Sequence, residues 1–114
     1  MNFLQYLNES LWTKKKAINF IANFEPTFLK ANIQVDIAGS VQSKGESEND
    51  LDLMVIKKTP KSFDKLKKEL ETNKDKLNIE RIDIEDGNIS LILKPDRKVV
   101  DIIFNNKEKS KWRF

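Results

Sequence analysis

Two aspartates one residue apart, Asp50 and Asp52, stand at the head of the apolar run "LDLMVI", residues 51–56. Side chains two apart on a strand project to the same face, so these carboxylates point together from backbone positions roughly 7 Å apart. Like charges so placed repel, and burying both without a counter-charge is costly. A bound cation relieves the conflict. Magnesium suits such a site: it takes one or two carboxylates, keeps some waters and leaves positions for phosphate oxygens. A third acid, Asp101, lies in "VVDIIF", residues 99–104, with apolar residues on both sides. If its strand neighbours 51–56, three carboxylates converge, and three acids can hold two metal ions about 3.5–4 Å apart.

Upstream, Gly39 and Ser40 follow the strand candidate "IQVDIA", residues 33–38. Glycine lets the backbone approach a ligand closely, with its amide turned to an anion. Ser40 adds a hydroxyl donor and can open a helix whose N-terminus favours phosphate. A triphosphate would then sit between Gly39-Ser40 on one side and metal-loaded aspartates on the other. A lone Asp-x-Asp is most often a solvated turn; the Gly-Ser before it and the "LMVI" after it argue against that reading here. Asp83 in "RIDIED" competes with Asp101 for the third place but reads as an outward acid on a hairpin arm. Asp36 reads as structural or as a rim contact.

The elements that would position these residues follow from periodicity. Residues 11–31 read as a helix, with Ala17, Phe20, Ile21, Phe24 and Phe28 on one stripe. Pro26 should kink it or open a second short helix. A separate short helix at 3–8 is expected, with Ser10 capping the next one. Beyond Pro60, Ser62 is the expected cap of a helix reaching Leu77, with Phe63, Leu66 and Leu70 on its stripe. Strands are expected at 33–38, 51–56, 79–85, 89–94 and 99–104, with "EDGN" (85–88) as a hairpin turn. The fold class is therefore α/β (α+β): a mixed sheet of five strands with helices packed against it.

The 114 residues fit one domain spanning 1–114, with 105–114, "NNKEKSKWRF", as an exposed tail or docking segment. That tail combines lysines with Trp112, Arg113 and Phe114, a mixture that stacks on bases or docks on a partner in some proteins and packs on its own domain in others. Cysteine and histidine are both absent, which excludes a disulfide framework, a thiol nucleophile, a cysteine or histidine zinc site and an imidazole base. The net charge of +3 is too small to indicate nucleic-acid binding by itself, and Lys14, Lys15 and Lys16 read as a solvated helix face. No apolar run approaches the roughly 18 residues of a membrane span, and the N-terminus lacks the order of a signal peptide, so a cytoplasmic protein is expected.

The order Gly39-Ser40, nine residues, Asp50-Leu51-Asp52, then Asp101 on a later strand resembles the signature of the DNA polymerase β-like nucleotidyltransferase superfamily. The resemblance covers residues 15–105 and includes the order of elements. At this length the chain is most similar to the minimal nucleotidyltransferases, which often pair with a HEPN partner in toxin–antitoxin systems. It implies magnesium-dependent transfer of a nucleoside monophosphate, AMP from ATP, to a hydroxyl acceptor with release of pyrophosphate. The acceptor would be a partner protein; the alternatives are a nucleic-acid 3′ end, a small molecule, or a non-catalytic module of the same fold. By resemblance, Asp50 and Asp52 bind two Mg²⁺ ions, Asp101 binds the catalytic one and helps deprotonate the attacking hydroxyl, and Gly39, Ser40 and Lys44 contact the phosphates of ATP or another NTP. Members of the family usually have one more residue in the spacer; here Lys44-Gly45 is shifted one place and Asn49 precedes the first acid. Larger relatives close the cleft with a helical domain, so a second copy or a partner protein is expected to complete it here.

Overall fold

The computed structural model describes residues 12–47 and 50–104. A short strand β1 (Trp12–Thr13) leads into helix α1 (Lys14–Lys30), and strand β2 (Gln34–Ala38) runs directly into the short helix α2 (Gly39–Lys44). Strands β3 (Glu46–Ser47) and β4 (Asp50–Lys57), helix α3 (Ser62–Thr72), the hairpin β5 (Ile79–Glu85) and β6 (Asn88–Leu93), and strand β7 (Lys98–Ile103) complete the order. Five strands form one mixed sheet in the order β2-β4-β7-β6-β5. The central pair β4 and β7 is parallel and the other three pairs are antiparallel. The described residues thus form a mixed five-stranded sheet with helices packed on it, as the periodicity predicts. None of their helices is long and apolar enough to cross a membrane.

Alternation along the strands divides the sheet into two faces. In β4, Leu51, Leu53 and Val55 are buried while Asp50, Asp52 and Met54 are half-buried. In β7, Val100 and Ile102 are buried and Asp101 is half-buried. The buried side chains join Phe20, Phe24 and Phe28 of α1 and Leu66 and Leu70 of α3 in one core. Both acids of β4 and the acid of β7 therefore stand on the face opposite the core.

Helix α1 starts three residues later than its pattern suggests. Thr13 is its N-cap, accepting the Lys16 amide at 3.2 Å on its hydroxyl, and Trp12 belongs to a two-residue ribbon with β3. The expected helix at 3–8, the expected cap Ser10 and the tail 105–114 lie outside the described residues. Pro26 neither ends α1 nor starts a second helix. Ala22, four residues before it, and Pro26 itself are exposed, so the carbonyl that loses its partner can turn to water. The C-terminus closes on Asn32 in the left-handed region, with the Ile33 amide donating to Phe28 and the Asn32 amide to Leu29.

Helix α3 departs further from expectation. It ends at Thr72 instead of Leu77 because Asn73 intervenes, its side-chain amide and its backbone N–H both donating to the Glu69 carbonyl at 2.9 and 3.0 Å. Leu77 still packs on the core from the turns that follow. Ser62 is not the helix cap. Its buried hydroxyl accepts the Thr59 amide at 2.8 Å and donates to the Asn32 carbonyl at 3.3 Å, tying the start of α3 to the end of α1.

Candidate metal centre

The parallel register sets Asp52 directly beside Asp101, with Asp50 two pairs earlier, opposite Val99. One carboxylate oxygen from each of Asp50, Asp52 and Asp101 lies within 4.8 Å of the other two, and all three residues are half-buried. The electrostatic strain falls on Asp101. Burial, a hydrogen bond with Asp50 and the charges of Asp50 and Asp52 raise its pKa from 3.8 to about 6, against the opposing effect of the Ser90 hydroxyl. A carboxylate in that state is short of positive charge.

Gly39 completes the rim from β2. Ala38 is paired with Asp52, and the chain turns at Gly39 with φ +65°. A side chain here would run into the Asp52 carboxylate, and a Cβ would come within 3.1 Å of its Cγ. Glycine is thus required twice, for the left-handed backbone and for the close approach. Helix α2 is anchored by the fully buried Val41 and stops at Gly45, which is also left-handed. Ser40 in its first turn and Lys44 in its last are exposed. Of the three residues expected to contact phosphate, Gly39 is the one set against the acids.

The competing acids fall elsewhere. Asp83 is on the same face as Asp101 but two strands away, across Ser90, and the Arg81 guanidinium holds it at 2.8 and 3.0 Å. The Asp36 carboxylate accepts the Ile37 amide at 2.9 Å, a local cap on the β2 edge.

Two contributors were not anticipated. Ser90 on β6 donates from its hydroxyl to Asp101 Oδ1 at 2.8 Å. Its signal in the sequence is slight, one polar residue at the right parity of "NISLIL". Trp12 is buried, and its indole N–H donates to the Val99 carbonyl at 3.1 Å, two residues before Asp101. The β1–β3 ribbon to which it belongs pairs Trp12 with Ser47 and Thr13 with Glu46.

No family model matches this chain, and no curated protein or solved structure matches it.

Proposed function

We propose that this protein is a magnesium-dependent nucleotidyltransferase, with the palm-like core of the polymerase β-like superfamily, that moves AMP from ATP to a hydroxyl on an acceptor. The observation that carries the reading is the convergence of Asp50, Asp52 and Asp101 from two adjacent parallel strands, with Gly39 held against Asp52. The donor set fits a hard divalent ion: three oxygen ligands, half-buried, with one carboxyl that burial and its neighbours have pushed towards protonation. Asp50, Asp52 and Asp101 would hold the metal, which when bound would offset phosphate charge and acidify the attacking hydroxyl.

The chain's own groups supply the rest. Ser90 donates to Asp101 Oδ1 and so fixes the orientation of the carboxylate. Asp101, oriented by the Ser90 hydroxyl, is the group that would help take the acceptor's proton. As the acceptor oxygen bonds to the α-phosphorus, the bond to the β-phosphate oxygen breaks and pyrophosphate leaves. Ser40 beside Gly39 would offer its exposed hydroxyl to the departing phosphates.

The test is incubation with α-labelled ATP, Mg²⁺ and candidate acceptors, including proteins encoded next to this one. Transfer of label with release of pyrophosphate, lost in Asp50→Asn and Asp101→Asn, is the expected result. If ATP with Mg²⁺ neither raises the melting temperature nor labels any acceptor, the proposal fails.

A further inference from the structure

The two edges of the sheet are built differently. β2, at one edge, is five residues long, carries a register irregularity at Gln34/Val35 and has its Ile37 amide occupied by the neighbouring Asp36 carboxylate. Such features discourage pairing with another chain. β5, at the other edge, is seven residues long and contains neither lysine nor proline, and among the described residues it pairs only with β6. Its irregularity lies at Ile79/Arg81, leaving Ile82 to Glu85 in regular register with Leu91 to Asn88.

The hairpin geometry tells which groups that edge presents. The two-residue turn, with Asp86 and Gly87 both at positive φ, makes Glu85 and Asn88 the closing hydrogen-bonded pair. Pairs alternate along an antiparallel ladder, so Asp83 is bonded to β6 while Ile82 and Ile84 direct their N–H and C=O groups outward.

We propose that β5 pairs antiparallel with β5 of a second copy, about a two-fold axis at Ile82, joining two five-stranded sheets into one. Charge selects both the occupant and the register. A seam centred on Asp83 would set that acid against itself, one centred on Ile84 would set Asp83 against Glu85, and one centred on Arg81 would set two guanidinium groups together. Centred on Ile82, the seam places Arg81 opposite the partner's Asp83 and Asp83 opposite the partner's Arg81. The outward N–H and C=O of Ile82 then bond to those of the second copy. In the single chain Arg81 and Asp83 pair with each other, with side chains 60% and 42% exposed, so both can turn across the roughly 4.8 Å between strands. The cross-strand row Asp52, Asp101, Ser90, Asp83 continues onto the partner's Arg81, and the dimer widens the face that carries the acids. The pairing does not depend on what the acids do.

Light scattering on a sizing column across a concentration series tests it. The wild-type chain should approach twice its monomer mass. Arg81→Asp and Asp83→Arg, each of which sets like charges together twice across the seam, should each raise the dimer dissociation constant by roughly 100-fold or more. An equimolar mixture of the two variants should recover a one-to-one dimer, because every opposed pair is again of opposite sign. A wild-type chain that stays monomeric at every concentration overturns the proposal. So does a dimer that either variant leaves intact, or a mixture that stays monomeric. Circular dichroism of the variants, whose altered residues are solvent-facing, checks that each is folded.

Discussion

The two faces of the sheet are made by the same strands and do opposite things. On the covered face, Leu51, Leu53, Leu91, Val100 and Ile102 are fully buried against helices and carry the apolar burial that stabilises the domain. On the open face, one residue along each strand, Asp50, Asp52, Ser90 and Asp101 form a half-buried polar cluster whose charges oppose one another. Burial on one side holds the repulsion on the other in place. The open face is expected to destabilise the fold when no cation is bound, and the covered face is expected to be indifferent to metal.

The largest break in that comparison comes from the covered face. Leu53→Ala removes a fully buried side chain between the sheet and its helices and should cost about 3 kcal/mol, read from urea denaturation. Molecules that remain folded should keep their response to Mg²⁺. A lost response would mean that the two faces are not separable.

Gly39→Ala tests the junction between them. The left-handed backbone costs a side chain about 1–2 kcal/mol, and the displaced Asp52 carboxylate adds to it, so the Mg²⁺-dependent rise in melting temperature should disappear as well. Gly45→Ala is the control. Its φ is +85°, but a Cβ there meets nothing within 4 Å, so it should carry the backbone cost alone and leave the metal response intact. Equal behaviour of the two variants would show that the contact of Gly39 with Asp52 is incidental.

Asp52→Asn should reverse the sign. Removing one of three crowded charges should stabilise the metal-free protein by about 0.5–1 kcal/mol and abolish stabilisation by Mg²⁺. Thermal melts in EDTA and in Mg²⁺ show both effects. A variant less stable than wild type in EDTA would mean that Asp52 is anchored by attractive contacts and that the cluster is not short of positive charge.

How far the sequence discloses this depends on the range of the interactions. Period-two alternation is local, so the open-face parity of Asp50, Asp52 and Asp101 can be read directly, and Phe20, Phe24 and Phe28 show their stripe equally well. The sheet order is less local: that β7 lies beside β4 follows from the chain's path, and the sequence supports it only as a condition. Ser90 reads as one polar residue in a strand until register places it opposite Asp101. The ribbon of Trp12–Thr13 with Glu46–Ser47 is too short to show a period, and the early end of α3 turns on one side-chain amide, Asn73, in a pattern that keeps Leu77 in phase. Ser62 has the residue type of a cap and makes a different bond, because Asn32 stands next to it only in the folded chain.

The smallest expected effect concerns pH and isolates Ser90. Asp101 binds its proton more tightly in the folded protein than in the unfolded chain, with a pKa raised from 3.8 to about 6. Its contribution to stability is therefore full below 3.8 and is lost as pH rises through about 6. In EDTA, the difference in denaturation midpoint between wild type and Asp101→Asn should fall across that window and be flat above it, which removes the carboxylates outside the cluster from the comparison. The Ser90 hydroxyl donates to the ionised carboxylate and opposes the upward shift, so Ser90→Ala should extend the falling limb to higher pH and deepen it, its onset near 3.8 being set by the unfolded chain. A limb that stays in place would mean that the hydroxyl orients Asp101 without tuning its charge, and a shift to lower pH would mean that Ser90 favours the protonated acid.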